Sequence, residues 1–414
     1  MKKNFMTGFL SGLFGAVLIF VFVGSVLIYV KDNDPNSGKG TKVNAEEKAS
    51  QEETLSYDRI VKKLAYLETL IDNYYLEEVD SSAFADGIYK GFMSSLEDPY
   101  STYYTKEEYT ALMESSSGVY HGIGATVSQD VKTGIIRIVK PFENGPAYRV
   151  GLRPGDILYK VENVEVTGMD LSEVVSKMKG PEGTKVNISV VREGESEPLQ
   201  FTIVRQQINV PTIEHKMLAD KIGYIIITEF DEITVKQFES AVDELEKAGM
   251  KGLIVDVRNN PGGLLASVVK ILDRLLPKGL IVYTEDKYGN RLEEDAIDEK
   301  MLTVPLAVLI NGNSASASEI FAGAIQDYQI GTVVGTTSFG KGIVQKVIPL
   351  SDGTAIKLTI SKYYTPKGRN IHGTGIKPDV EIDLDAEMKK EVTVPIEKDN
   401  QLQEAIKIVK EKIK

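Results

Sequence analysis

Two residues in this chain have the type and setting for acyl-transfer chemistry: Ser316, inside NSASASEI (313–320), and Lys341, inside FGKG (339–342). The serine follows the apolar run LAVLI (306–310) and an NGN turn, so strand, tight turn and helix start place its hydroxyl at a helix N-terminus. Backbone N–H groups and the helix dipole there favour a developing oxyanion. Glycines on both sides of Lys341 let another backbone or a substrate come close, so the amine can be partly desolvated and act as a neutral base. A structural reading competes. Residues 316–319 also fit the S-x-x-E capping box, Ser314 and Ser318 are rival hydroxyls, and a lone lysine is ordinarily a solvated charge.

Four further segments bear on that choice. LIVDVRNNPGGLL (253–265) is an apolar strand running into a glycine pair whose N–H groups could complete an oxyanion hole. GIGA (122–125), followed by PFENGPAYRVGLRPGDIL (141–158), has the pattern of a PDZ domain. DPYSTYY (98–104) precedes it and GYIIITEF (223–230) follows it. In this order the motifs resemble the bacterial carboxyl-terminal processing peptidases, or tail-specific proteases, over residues 58–379.

The resemblance implies that Ser316 is the nucleophile, since alanine flanks it on both sides, that Lys341 is the general base, and that Gln345 orients the lysine. It implies an oxyanion hole from the backbone N–H groups of Gly262 and Ala317. It also matches Asp327 to an acidic position that is functional in some members, against the ordinary reading of a helix-end carboxylate that is solvated or paired. One point of geometry conflicts with it. A strand beginning at Lys341 would put Gln345 on the same face but about 13 Å away at roughly 3.3 Å per residue, so contact needs a bend at Gly342.

Composition narrows the chemistry. No cysteine is present, which excludes disulfides, thiolate metal sites and cysteine nucleophiles. A net charge of −12, with 60 acidic side chains and no offsetting basic block, argues against a nucleic-acid surface. The three histidines, His121, His215 and His372, lack metal-pair spacing; a Ser-His-Asp triad through His215 or His372 stays open on residue types alone. No metal or organic cofactor is needed for the chemistry expected.

The elements that must position these residues begin with an uncharged stretch, residues 5–30, about 39 Å long as a helix at 1.5 Å per residue, against a hydrocarbon core of about 30 Å. Lys2 and Lys3 precede it and Asp32 and Asp34 follow, so the positive-inside rule puts the remainder of the chain outside the cytoplasm. The stretch lacks a clear small-residue cleavage site, which favours an anchor over a cleaved signal peptide. The expected order is therefore a cytoplasmic N-terminus and transmembrane anchor (1–31), a flexible linker (32–53), a helical region (54–114), a PDZ domain (115–204), a peptidase core with contributions from the helical region (205–385), and a helical tail (386–414). Helical spacing recurs over 57–79, 82–96 and 106–115. In the PDZ stretch, 135–140 and 186–192 alternate as strands and 171–180 reads as a helix. From residue 208 apolar strand runs alternate with helices, the pattern of an α/β core, which the resemblance likens to Clp protease and the crotonases.

The fold class expected is thus multidomain, mixed α/β and β. The function expected is a membrane-anchored, extracytoplasmic serine endopeptidase without cofactors. Its PDZ loop, Gly122, Ile123, Gly124 and Ala125, would hold the C-terminal carboxylate of a peptide substrate on backbone N–H groups. The resemblance adds a homodimer through the terminal helices. Two other classes compete: a PDZ scaffold that has lost activity, against which the intact serine, lysine and glutamine stand, and an acyl-CoA enzyme, against which the anchor and the PDZ pattern stand.

Overall fold

The computed structural model describes residues 55–298, 301–391 and 394–413. The expected membrane span and linker lie outside them; among the described residues no helix is long and apolar enough to cross a membrane. The described residues 55–79 and those from Asp80 onward fall into two separate compact units. The first contains α1 (Tyr57–Tyr74), which matches the helical spacing of Ile60, Leu64, Leu67 and Ile71 and ends sooner than that reading, which ran to residue 79.

The second unit opens with α2 (Ser82–Ser94), β1 (Thr102–Tyr104) and α3 (Lys106–Ser117). A reciprocal capping box starts α3: Thr105 Oγ1 accepts the Glu108 N–H at 3.2 Å, and Glu108 Oε2 accepts the Thr105 N–H at 2.9 Å. Gly118 ends it in the left-handed region, at φ 68°.

The PDZ domain follows. Its elements are β2 (Val119–Gly122), β3 (Ala125–Gln129), β4 (Ile136–Pro141), the short α4 (Pro146–Arg149), β5 (Ile157–Val161), β6 (Val164–Glu165), α5 (Leu171–Met178), β7 (Lys185–Val191), β8 (Leu199–Val204) and β9 (Gln206–Asn209). Five strands run in the order β3-β4-β5-β7-β8, with β6 on β5, and β2 pairs with β9. That ribbon is a sheet of its own and runs to Asn209. Alternation explains the sheet: Ile136 and Ile138 on β4 and Val186, Ile188 and Val190 on β7 are buried against Val174 and Met178 of α5. Asp170 caps α5 by accepting the Ser172 N–H at 2.8 Å.

The core contains β10 (Ile213–Met217), β11 (Ile222–Ile227), α6 (Glu232–Lys247), β12 (Gly252–Asp256), α7 (Leu265–Asp273), β13 (Gly279–Asp286), β14 (Arg291–Ala296), β15 (Leu306–Ile310), α8 (Ala317–Tyr328), β16 (Gly331–Gly335), β17 (Ile343–Pro349), β18 (Ala355–Tyr364), β19 (Val380–Glu381) and α9 (Asn400–Lys412). Its main sheet, β10-β11-β12-β15-β16-β19, is parallel except at β10. All five residues of β12 and of β15 are buried, because helices cover both faces and such strands must read as continuous apolar runs. Ile225, Val255 and Val308 face Phe238, Leu272 and Phe321 of α6, α7 and α8. Tyr224, Ile254 and Leu309 face Leu402, Ala405 and Val409 of α9. Each large aliphatic side chain so buried contributes about 1.5–3 kcal/mol. Arg258 pins α9 to the sheet, bonding Asp256 at 2.6 Å and Asp399 at 2.7 Å.

A second, antiparallel sheet, β1-β18-β13-β14 with β17 on β18, stands beside the first. It departs from the simple alternation of strands and helices expected. Through β1 the DPYSTYY segment joins the core, with Tyr103 opposite Ile356.

Candidate active site

The loops after β12 and β15 are latched together at the carboxyl ends of two parallel neighbours. Asn259 Oδ1 accepts the side-chain amides of Asn311 and Asn313, both at 2.9 Å, and Asn311 Oδ1 accepts the Asn259 N–H at 2.9 Å. Ser314 and Ser318 belong to that latch. Both are fully buried; Ser314 Oγ donates to the Val257 carbonyl at 2.7 Å and Ser318 Oγ to the Asn260 carbonyl at 2.9 Å. Two of the three candidate hydroxyls are therefore bonded into the latch, whereas Ser316, between them, stands in the expected capping box with Glu319 at the start of α8.

Ser316 holds φ 55° and ψ −114°, a region in which a residue with a Cβ costs about 1–3 kcal/mol unless its surroundings enforce it. The enforcement is visible. Glu319, with no exposed surface, takes the Ser316 N–H on Oε2 at 2.9 Å, while the Glu319 N–H donates to the Ser316 carbonyl at 2.9 Å. Gly262, at φ 110°, packs so closely that a Cβ there would lie 2.8 Å from Ser316 Cβ and 3.0 Å from the Ala317 nitrogen. Ala317 is the first residue of α8, so its N–H has no intrahelical acceptor.

The same Glu319 carboxylate reaches the lysine. Its Oε2 also accepts the Lys341 N–H at 2.8 Å, and its Oε1 accepts the Gly340 N–H at 2.7 Å and the Ser338 hydroxyl at 2.6 Å. One carboxylate oxygen thus holds the backbones of Ser316 and Lys341 together. Tyr363 repeats the clamp from the other side, its hydroxyl lying 3.1 Å from the Ser316 carbonyl oxygen and in hydrogen-bond contact with that of Lys341. Burial, then the Glu319 charge, raises the Tyr363 phenol well above its usual range, so it remains a donor.

The Lys341 ammonium lies 4.6 Å from the centroid of the Tyr100 ring. Burial, with the Lys357 charge second, lowers its pKa below the ordinary 10.5; Asp98 and Glu319 pull the other way. Burial raises the Asp98 carboxyl, but hydrogen bonds from Ser101, Thr359 and the Tyr100 N–H, with the Lys341 charge, bring it below its usual value. Lys341 thus carries a partly desolvated amine and Ser316 a hydroxyl at a helix start, and Glu319 and Tyr363 hold the two backbones together.

The remaining expectations meet mixed outcomes. Lys341 and Gly342 precede β17, which begins at Ile343 with a register shift between Val344 and Gln345. Gln345 Nε2 donates to Thr359 Oγ1 at 3.3 Å, so it meets the lysine only through Thr359 and Asp98. Gly262 packs against Ser316, but its N–H, expected in an oxyanion hole, donates to Asn260 Oδ1 at 2.8 Å. Asp327 lies near the far end of α8, about 16 Å along the helix from Ser316 at 1.5 Å per residue, where it bonds the Arg369 guanidinium and accepts the Lys367 N–H at 2.9 Å. That is the paired-carboxylate reading. Among the described residues no histidine bonds Ser316: His215 lies 3.1 Å from Glu244, and the His372 side chain is exposed.

Four residues at the site were not read for their role: Glu319, seen only as a cap; Tyr363; and Asp98 and Tyr100, whose segment was noted without an assignment. The signals were the S-x-x-E spacing and the DPYSTYY motif itself.

At the PDZ loop, Gly122 closes β2, Ile123 is buried, and Ala125 opens β3. Gly124 takes φ 72°, so its N–H and its neighbours' turn as a strand would not allow. The Ile123 and Gly124 carbonyls accept the Ala147 N–H at 2.8 Å and the Phe142 N–H at 2.9 Å, which pins the loop. A cavity of about 310 Å³ opens beside it, lined by Ile123, Ala125, Phe142, Val175 and Met178, with Glu229 and Asp231 of the core at its wall.

The profile of peptidase family S41 matches residues 221–382, that of the PDZ domain 137–192, and that of the activating protease CtpB N-terminal domain 18–108. The carboxy-terminal processing protease CtpA of Bacillus subtilis (strain 168) is 37% identical over 374 residues, covering 90% of this chain and 77% of that protein. The chain belongs to the carboxy-terminal processing proteases. CtpB of the same organism is 38% identical over 329 residues, covering 78% of this chain and 68% of that protein. The crystal structure of a putative S41 protease from Bacteroides fragilis shares the fold at a TM-score of 0.50, with 16% identity, over 82% of this chain and 91% of that one. As a carboxy-terminal processing protease this chain is a serine-type peptidase with a PDZ domain.

Proposed function

We propose that the chain is a membrane-anchored endopeptidase acting outside the cytoplasm, in which Ser316 and Lys341 form the catalytic dyad. The observation that supports the dyad is the joint hold of Glu319 and Tyr363 on both backbones. Lys341 Nζ, whose unprotonated form burial favours, takes the Ser316 Oγ proton as Oγ adds to the scissile carbonyl. The oxyanion so formed is held by the Ala317 N–H, the dipole of α8 and the Gly262 N–H once Asn260 releases it. Lys341 then gives the proton to the departing amine, and water attacking the acyl-serine repeats the cycle. Gln345 supports Thr359 and Asp98 and so acts on the lysine at one remove.

The PDZ loop Gly122–Ala125 takes the substrate's C-terminal carboxylate, and the apolar cavity takes its last side chain. The uncharged stretch 5–30 anchors the chain, and its flanking charges place the protease domain on the outer side. A homodimer is part of the same reading by resemblance alone. The test is peptidase activity on a free-acid peptide. Ser316→Ala and Lys341→Ala should each abolish turnover without unfolding, and the double variant should be no worse than either, because residues acting as one unit do not add. Full activity in Lys341→Ala would refute the dyad.

A further inference from the structure

The Lys341 amine faces an aromatic ring from a segment that precedes the PDZ domain. Its Nζ lies 4.6 Å from the centroid of Tyr100, inside the distance of about 6 Å at which the electron-rich face of a ring attracts a cation. Among the described residues no carboxylate is in ion-pair contact with that Nζ; Asp98 and Glu319 act on it only through their charge. The Asp98 oxygens are occupied with holding the tyrosine instead. Oδ1 accepts the Tyr100 N–H at 3.0 Å, and Oδ2 accepts the Ser101 hydroxyl at 2.5 Å. Ser101 Oγ in turn accepts the Thr359 N–H of β18 at 3.0 Å, and Gln345 Nε2 donates to Thr359 Oγ1 at 3.3 Å. Next along the chain, Thr102 and Tyr103 pair with Lys357 and Ile356, and the Tyr103 hydroxyl donates to Asp86 of α2 at 3.0 Å. The half-buried Tyr100 is thus fixed from its own backbone, independently of the lysine it faces.

Such a face matters at one moment of the reaction. When Nζ takes the serine proton, the Oγ–H bond breaks, an Nζ–H bond forms, and a positive charge appears on an amine that burial has partly removed from water. The burial that makes the amine a base therefore opposes its protonated form. A carboxylate in ion-pair contact would relieve that opposition by keeping the lysine protonated at rest, which would cost it the role of base; a ring face holds a cation more weakly. We propose that Tyr100 is a positioning residue for the dyad: its ring face aims the Lys341 amine and stabilises the ammonium that forms as Ser316 attacks. The inference rests on the reading of Lys341 as the general base. It also gives Gln345 a physical route to the lysine, because the bonds that run from Gln345 through Thr359, Ser101 and Asp98 end on the Tyr100 backbone.

The charged groups that act on the amine from the surrounding elements are Lys357 of β18, which lowers its proton affinity, and Asp98 and Glu319, which raise it. The test leaves all three in place. Full-length protein in detergent would carry Tyr100→Leu, Tyr100→Phe, or Tyr100→Phe with one, two or three ring fluorines, which weaken the negative face stepwise at nearly constant shape. Each variant would be followed across pH by fluorophosphonate labelling of Ser316 and by kcat and KM on a free-acid peptide, with Tm as the check on folding. Tyr100→Phe keeps the face and should label within about threefold of wild type. Each added fluorine should lower the plateau rate and move the midpoint of the pH profile downward, because the ring favours the protonated amine. Tyr100→Leu should mark the end of the series, with a plateau about two- to thirtyfold lower and a midpoint about 0.4–1.5 pH units lower, and KM should stay within about twofold. A rate and midpoint that do not change along the fluorine series, at unchanged Tm, overturn the proposal and leave the ring a packing group; this holds even where Tyr100→Leu fails to fold. A rise in KM at constant kcat also overturns it, since the ring would then belong to the substrate site. Labelling of Lys341→Ala at the wild-type rate would instead bring down the dyad itself, whereas loss of labelling in Lys341→Ala with a flat fluorine series sinks the role of the ring alone.

Discussion

Glu319 carries more of the site than either residue it positions. A buried carboxylate is tolerated because four donors meet it: the N–H groups of Ser316, Gly340 and Lys341 and the Ser338 hydroxyl. Glu319→Gln turns one of those acceptors into a donor facing donors. It is expected to cost about 2–4 kcal/mol in chemical denaturation, and to lower kcat by at least about tenfold with little change in KM, since the loss falls on geometry used in the transition state. A variant of wild-type stability and turnover would mean that the clamp is dispensable.

At the scale of elements, α8 has two ends with different tasks. Its start presents Ser316 and Ala317; its far end holds Asp327 against Arg369 and the Lys367 N–H. Asp327→Asn should therefore lower stability by about 1–3 kcal/mol, measured by urea midpoint, while kcat/KM stays within about twofold; a large loss of turnover at full stability would restore a chemical role. The parallel strands were legible in the sequence because burial on both faces leaves unbroken apolar runs such as LIVDV and LAVLI. Of the antiparallel sheet only the strand after Lys341 was legible; β18 mixes Lys357, Thr359, Ser361 and Lys362 with its apolar residues and blends with loop composition. The serine and the lysine were legible from their small-residue settings. Their linkage through Glu319 and Tyr363 was not, because it joins positions that only the folded loops bring together. Nor could the sequence reveal that the Gly262 N–H turns onto Asn260, a matter of one peptide's orientation.

Across the whole second unit, the cavity beside Gly122–Ala125 and the loop of Gly262 share a wall. Glu229 and Asp231 line the cavity, and between them the Phe230 N–H donates to the Gly262 carbonyl at 2.9 Å while its carbonyl accepts the Leu264 N–H at 2.7 Å. Burial, then the Glu229 charge, raises the Asp231 carboxyl to about 7. The sign of the consequence is definite. The folded protein holds this proton more tightly than the unfolded chain, where the value is about 3.8, so the stabilisation is complete below that pH and lost as pH rises through 7. Asp231→Asn, which mimics the protonated form and keeps the α6 cap, should match wild type in Tm at pH 4 and exceed it increasingly up to pH 8. A Tm difference independent of pH would exclude the raised value.

The most direct measurement on the dyad is the rate at which a fluorophosphonate labels the protein as a function of pH, with the modified residue located by peptide mass spectrometry. Label should fall on Ser316, and its rate should rise with pH through one ionisation below the ordinary lysine value of 10.5, as burial of Lys341 requires. The profile should persist when His121, His215 and His372 are all changed to Gln, and labelling should vanish in Lys341→Arg, whose guanidinium keeps its proton. Label on Ser314 or Ser318, or a profile that disappears with the histidines, would contradict the Ser316–Lys341 assignment.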